Sequence, residues 1–534
     1  MNRFSLITCG VVWTGVVMFA AIAEPVKIDA GQVTGIAGKD TSVRVFKGIP
    51  YAAPPTGQNR WKAPQPVAKW EGVKAADSFG PTCTAGGGGR GGKGGAKGGG
   101  AKGGGKGDAP ASPAQAKAQA KGPAGPAASE DCLYINVWTT AASANEKRPV
   151  FVWTYGGGFT GGSGSEARYD GEALAKKGVV VVTYNYRLGT FGFLAHPELS
   201  KESGQNASGN YAMLDLLSAL HWVQKNIAAF GGDPNKVTLG GESAGAFQVA
   251  VMVASPEAKG LFQRGVAQSG GYMGLQIGKT RTMAQAEEAG VRAVGSHSIA
   301  ELRAMSTAEL GQNLTGVQAG VIVDGWVLPD DPSAIYRAGK QNKVDLLVGS
   351  NQDEGTFLGG GPSTAEPFKS QAQQRFGDLA PDFLKLYPAG TNEEAAASAL
   401  MRTRDELGWH MRTWAQNQLK TGKKAYLFYF TRVAPGQEAR GATHTNELPY
   451  MFGTPPANNM WTEVDTKLSD QMTSYWANFI ATGDPNGKGL PNWQAYDPKK
   501  NDAQAMVFGN TTGFGAHISA ERLKFYDQFY AKQK

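Results

Sequence analysis

Ser243 stands in Gly241-Glu242-Ser243-Ala244-Gly245, at the end of an apolar run over residues 236–240 and ahead of a helix-like stretch. This layout fits G-x-S-x-G, a sharp strand-to-helix turn that lifts a serine hydroxyl above a sheet and needs glycines to admit the tight backbone. The chemistry such a serine performs is nucleophilic attack on an acyl carbon, and the helix behind it directs its positive end at the negative charge that develops. A small residue in an ordinary turn is the plainer alternative, and in a chain with 74 glycines the pentapeptide alone does not decide between them.

Acyl transfer also needs preorganised donors for an oxyanion, each contributing about 3 kcal/mol to transition-state stabilisation. "WTYGGGFTGG" (153–162) puts three glycines directly after a strand, where backbone N–H groups face a substrate without Cβ obstruction. A serine hydroxyl further needs a base, and the imidazole that serves needs an acid to orient it. Six histidines are available: His196, His221, His297, His410, His444 and His517. His221 falls inside a helical pattern, whereas His444 lies in "GATHTNELPYMFG", a loop of small residues beyond a strand. For the acid, "GSNQDEGTF" offers Glu354 and its neighbour Asp353 just past a strand end, and spacing does not choose between them. Either one gives the chain order serine, acid, histidine of an α/β-hydrolase.

The elements that would hold these groups are legible as alternating strand-like and helix-like runs. "RPVFVWTY" (148–155) and "GVVVVTYNYR" (178–187) read as strands buried on both faces, and "KVTLG" (236–240) as the strand entering the serine turn. "NYAMLDLLSALHWVQKNIAAF" (210–230) has helical spacing and ends at Gly231-Gly232. "VDLLVGS" (344–350) and "KAYLFYFTR" (424–432) are later strands. The alternation predicts a largely parallel or mixed sheet covered by helices. No repeat of solenoid or propeller period is present.

Composition narrows the function classes. With 534 residues, 41% of them hydrophobic, and 12 tryptophans, the chain has an ample core. Its net charge of +8 suggests a nucleic-acid binder until it is located: residues 85–128 hold seven Lys or Arg against the single acid Asp108, and the remainder is nearly neutral. That Gly/Ala/Lys-rich segment has nothing apolar larger than alanine and proline, so it reads as a disordered insertion. Its glycine-rich stretches lack the Ser or Thr after the lysine, and the preceding strand, of a phosphate-binding loop. Its spaced lysines suit a weak contact with an anionic surface, but no nucleic-acid partner is expected. The N-terminus, one Arg and an apolar stretch before Ala21-Ile22-Ala23, has the form of a secretory signal peptide over residues 1–23, with export to the periplasm or medium. Removing it leaves Cys83 and Cys132, an even count that suggests one disulfide. No H-E-x-x-H or Cys/His cluster points to a metal, and no cofactor is called for.

Taken together, "FKGIPYAAPP", "SEDCLYINVW", "YGGGF", "NYRLGTFGF", "FGGDPNKVTLGGESAG", "NQDEG", "HTNELPYMFG" and "WANFIATGDPN" resemble the type-B carboxylesterase family, which includes the cholinesterases. The resemblance runs from about Val26 to the C-terminus except for the Gly/Lys insertion. It implies an α/β-hydrolase fold in one catalytic domain over residues 24–534, with a large, mostly parallel twisted sheet flanked by helices and small N-terminal antiparallel strands. It implies Ser243 as nucleophile, His444 as base and Glu354 as the acid, with an oxyanion hole from the N–H groups of Gly157, Gly158 and Ala244. It further implies a Cys83–Cys132 disulfide and structural ion pairs Arg60–Glu130 and Arg187–Asp215. The expected activity is hydrolysis of a small-molecule carboxylic ester through an acyl-Ser243 intermediate.

The chain also departs from the cholinesterases. Between Cys83 and Cys132 there is no Trp, Tyr or Phe to form a cation–π platform, which argues against a choline ester specialist. Glu242, just before the nucleophile, reads either as a group that stabilises positive charge or as a hydrogen-bonded elbow residue. A catalytically silent binding scaffold and a hydrolase of amides, thioesters or lactones are the competing functions. Tyr272, Met273 and Phe357 are candidates to line the acyl and alcohol pockets. The sequence specifies no oligomeric state.

Overall fold

The computed structural model describes residues 22, 24–86, 126–272, 279–358, 364–457 and 460–532. Residues 1–21 and 23 of the expected leader, 87–125 of the expected insertion, and Met273 lie outside the described residues. The ends of the expected insertion belong to the ordered body: Ala85 O accepts from Thr190 N at 2.9 Å, and Ala128 pairs with Thr82.

Eleven strands make one sheet: β1 (Ile36–Ala37), β2 (Arg44–Pro50), β3 (Tyr134–Thr139), β4 (Arg148–Thr154), β5 (Val180–Tyr184), β6 (Gly232–Glu242), β7 (Arg264–Gln268), β8 (Asp345–Asn351), β9 (Ala425–Phe430), β10 (Gln504–Phe508) and β11 (Thr512–Ala516). Their spatial order is β11-β10-β9-β8-β7-β6-β4-β5-β3-β2-β1. The strands from β5 to β10 all run parallel, and antiparallel strands finish both edges. This is the α/β-hydrolase architecture. A separate small sheet joins the antiparallel strands Val26–Ile28 and Gly31–Thr34 to Val73–Ala75, which adds in parallel.

The central strands are covered on both faces, which explains their unbroken apolar runs. Every residue of β5 and β9 is buried, as are the last five of β4. The helices that matter for the site are α1 (Tyr211–Asn226), α2 (Ala244–Ala254), α3 (Gly355–Leu358), α4 (Asn392–Gln418), α5 (Leu448–Phe452) and α6 (Glu463–Thr482). α1 passes into a short 3-10 turn, Ile227–Phe230, and stops at Gly231, whose φ of 79° is the left-handed turn that glycine tolerates. α2 is buried along its whole length.

Two buried ion pairs brace the body. The Arg60 Nε and Nη2 groups donate to the two oxygens of Glu130, each at 2.8 Å. Arg187 Nη2 meets Asp215 Oδ1 of α1 at 2.7 Å, with both side chains sealed from solvent. Cys83 and Cys132 form a disulfide across 49 positions.

Candidate active site

β6 runs straight into Ser243, and α2 begins at the next residue. Ser243 has φ 54° and ψ −121°, a conformation that a non-glycine residue adopts only where surrounding structure enforces it. The enforcing contacts are visible: Ser243 N donates to Gln268 O of β7 at 2.9 Å, and Phe247 N to Ser243 O at 3.1 Å. The flanking glycines are obligatory. A Cβ at Gly241 would sit 2.5 Å from the backbone of Gly245, and one at Gly245 only 2.1 Å from Thr154 O.

The end of β4 brings the glycine run to the serine. A Cβ on Gly156 would lie 2.9 Å from Ser243 Cβ, so the two turns are in direct contact. Gly157 and Gly158 have φ of 109° and 62°. The Gly157 carbonyl is engaged by the N–H groups of Thr160 and Gly161, both at 3.1 Å, which anchors the loop from its far side. Among the described residues, the N–H groups of Gly157, Gly158 and Ala244 donate to no acceptor. Unpaired donors beside a helix N-terminus are what a developing oxyanion requires.

Glu354 and His444 meet although they are far apart in sequence. Glu354 follows β8 and His444 lies in the loop ahead of α5; His444 Nδ1 is 2.7 Å from Glu354 Oε2, and both side chains are buried. Glu354 Oε1 is held by Asn351 N at 2.9 Å and by the Ser269 hydroxyl. Asp353 turns the other way, accepting from Ala442 N at 2.7 Å to pin the loop that carries His444. Of the two acids that spacing leaves open, Glu354 is the one that faces His444, since adjacent side chains leave a turn in different directions.

His444 Nε2 lies 3.0 Å from Glu242 Oε1, so the ring sits between two carboxylates. Burial by itself would lower the imidazole pKa, but Glu242 and Glu354 outweigh it and raise it. Burial likewise raises Glu242, with repulsion from Glu447 and Glu354 added and His444 opposing. Both shifts favour the protonated form of each group. Phe357 of α3 stacks on one face of the ring, centroids 4.9 Å apart and planes 17° from parallel, while remaining 52% exposed. Tyr272 is buried and packs edge-on against Phe247, one turn past the serine. The other histidines lie elsewhere: His196 Nδ1 accepts from Glu198 N at 3.3 Å, His221 lies on α1, His297 N donates to Val294 O, His410 lies inside α4, and His517 Nδ1 faces Ala503 O.

A second layer escaped sequence reasoning. Glu447, three residues past His444, is fully buried and accepts from Gln268 Nε2 at 2.8 Å and from Asn351 Nδ2. Asn351 Nδ2 also donates to Thr443 O at 2.9 Å, and Trp476 Nε1 to Gln268 Oε1 at 3.1 Å. Asn351 thereby links the acid turn to the histidine loop. The only signal in the sequence was its place at a strand end three residues before Glu354. No group of three or more His, Cys, Asp or Glu among the described residues is arranged to hold a metal ion.

Residues 23–526 match the model of the carboxylesterase family. The chain is 34% identical to fumonisin B1 esterase of Sphingopyxis macrogoltabida, with 96% of this chain and 92% of that protein covered. It is 31% identical to liver carboxylesterase 1F of Rattus norvegicus, covering 94% and 92% respectively. Among solved structures, a carboxylesterase of Geobacillus stearothermophilus superposes with a TM-score of 0.75 at 31% identity, over 94% of this chain and 99% of that one.

Proposed function

The chain belongs to the carboxylesterase family and is a carboxylic ester hydrolase, and from that premise we propose that it works through an acyl-Ser243 intermediate with His444 as base and Glu354 as the acid that orients it. The observation that carries this reading is the strained Ser243 elbow facing unpaired backbone donors, with a buried Glu354–His444 pair 2.7 Å apart beside it. His444 Nε2 takes the Ser243 proton as the hydroxyl attacks the ester carbonyl. The oxyanion settles on the N–H groups of Gly157, Gly158 and Ala244. The imidazolium, stabilised by Glu354, then protonates the departing alcohol, and water releases the acid by the same steps in reverse.

Glu242 enters as a modulator of this cycle. Its carboxylate faces the same nitrogen that must serve Ser243, so the ring exchanges one partner for the other when substrate arrives. Once the ring holds the Ser243 proton, the nearby Glu242 carboxylate joins Glu354 in compensating the imidazolium while the tetrahedral intermediate exists.

The test is hydrolysis of p-nitrophenyl esters, from acetate to long acyl chains, and of fumonisin B1, by the wild-type protein beside Ser243→Ala. Turnover that falls by about a thousandfold or more in a folded Ser243→Ala protein supports the assignment. Turnover that survives the substitution refutes it.

We also infer export. The signal-like residues 1–23 and the Cys83–Cys132 bond, a linkage favoured in oxidising compartments, support that reading. Fractionation of expressing cells, with N-terminal sequencing of the mature protein, tests it.

A further inference from the structure

We propose that a groove on the outer side of the histidine loop is a binding site for a small organic carboxylate with an apolar body. The groove encloses about 530 Å³ and is lined by Arg168, Arg432 and Arg440, by Thr445 and Asn446, and by Trp461 among several prolines. Neither Ser243 nor His444 lines it, so it is separate from the catalytic pocket.

Charge is the first argument. Three arginines line one concavity whose described lining includes no Asp or Glu. Arg432 is fixed from behind by the buried Asp465, with Nε and Nη2 at 2.7 and 2.8 Å from its two oxygens. Arg168 is steadied by Glu166 at 2.7 Å and is still half exposed. Arg440 is exposed and makes no ion pair among the described residues. Arg168 and Arg432 are balanced by Glu166 and Asp465, so Arg440 is the cation left to meet an anion in this groove, and the guanidinium fork matches a carboxylate.

The apolar wall is the second argument. Trp461 stacks on Tyr450, centroids 4.7 Å apart at 20°, and Tyr450 is itself pinned by its hydroxyl to Asp465 at 2.7 Å. A rigid aromatic face beside prolines accepts a hydrocarbon or aryl body but gives little to a small inorganic ion. The chemistry that joins an apolar body to one planar negative charge is that of the acids that ester hydrolysis releases. This link to the enzyme's own product rests on the proposed function, whereas the binding site does not. Because Thr445 and Asn446 follow His444 directly, an occupant would press on the loop that carries the base.

The experiment uses the full chain and 4-phenylbutyrate as probe, with 4-phenylbutyramide as its neutral counterpart. Calorimetry is run on wild-type protein whose Ser243 has been blocked by phenylmethylsulfonyl fluoride, and on Ser243→Ala. Each is compared with its Arg440→Glu counterpart, whose fold is checked by circular dichroism. The expected result is that the carboxylate binds both inactivated proteins, that Arg440→Glu weakens it tenfold or more, and that the amide binds tenfold or more weakly. Equal affinity for acid and amide, indifference to Arg440→Glu, or loss of binding once Ser243 is blocked would each overturn the proposal. If the sulfonyl fluoride fails to label Ser243, the nucleophile assignment falls, and the Ser243→Ala pair still decides the groove.

Discussion

Glu242 Oε1 lies 3.0 Å from His444 Nε2, the nitrogen that must deprotonate Ser243. An imidazolium cannot accept that proton, and the raised His444 pKa keeps the ring charged beyond the usual histidine range. kcat/KM should therefore climb with pH and level off only on the alkaline side of neutrality. Replacing Glu242 by Gln removes the negative charge that favours the imidazolium, so the rising limb should move down by about one pH unit or more. A pH–rate profile of Glu242→Gln that overlays the wild type would show that Glu242 does not set the state of His444.

Asn351 should behave as a positioning residue. Its side chain bonds both Thr443 O and Glu447, so Asn351→Ala frees the histidine loop and leaves a buried carboxylate short of a donor. Backbone N of Asn351 still holds Glu354, so the triad persists with looser geometry. A loss of up to about 100-fold in kcat with little change in KM is expected, the scale set by misplacing a catalytic group by about 1 Å. Reactivity toward a fluorophosphonate should fall in step with kcat, and an unchanged labelling rate would assign Asn351 a purely structural role.

The difference between what could and could not be read from sequence follows contact distance. The elbow is legible because its pentapeptide pattern is local, with Gly241 dictated by a clash with Gly245 although the clash that dictates Gly245 comes from Thr154 on a neighbouring strand, and the glycine run because it follows an unmistakable strand. The end of α1 was legible because Gly231 supplies a left-handed turn. Choosing Glu354 over Asp353 on spacing alone was not, since the deciding contacts come from His444 and Ala442, some ninety residues on. β7 carries no strand pattern in the sequence because Arg264–Gln268 is short and polar at both ends. Gln268, at its tip, reaches Glu447 across 179 positions, a pairing that no local pattern encodes.

Gly245→Ala should cost both activity and stability. The new methyl would stand 2.1 Å from Thr154 O, a backbone atom of a central strand that has no room to retreat. Overpacking of this kind typically costs about 1–3 kcal/mol, and any relief must come from shifting α2 and with it Ser243. Denaturant unfolding together with p-nitrophenyl acetate turnover checks this, and a variant that matches the wild type in both would mean that the elbow tolerates a Cβ.

The Cys83–Cys132 bond closes a 49-position loop, and on the chain-entropy model that contributes about 4 kcal/mol. The Cys83→Ser/Cys132→Ser double variant should unfold at lower denaturant with an activity per folded molecule close to wild type, because neither cysteine touches the site. An unchanged midpoint would show that the loop ends are already held by the pairing of Thr82–Cys83 with Ala128–Ser129.

Asp215→Asn isolates a charge without changing shape. Asp215 is completely buried, and it receives Arg187 N at 2.9 Å as well as the guanidinium. Asparagine keeps an oxygen to accept from Arg187 but supplies no negative charge, so a buried guanidinium is left uncompensated. Breaking such a pair from one side costs about 3–5 kcal/mol, whereas exposed pairs such as Lys385–Asp382 contribute about 1 kcal/mol or less. The expected outcome is a large fall in the denaturation midpoint for Asp215→Asn and almost none for Asp382→Asn. Because the Arg187–Asp215 pair contacts none of the groups assigned to catalysis, KM for a p-nitrophenyl ester should be unchanged in the folded fraction. A shifted KM at wild-type stability would instead place the pair in the substrate's path.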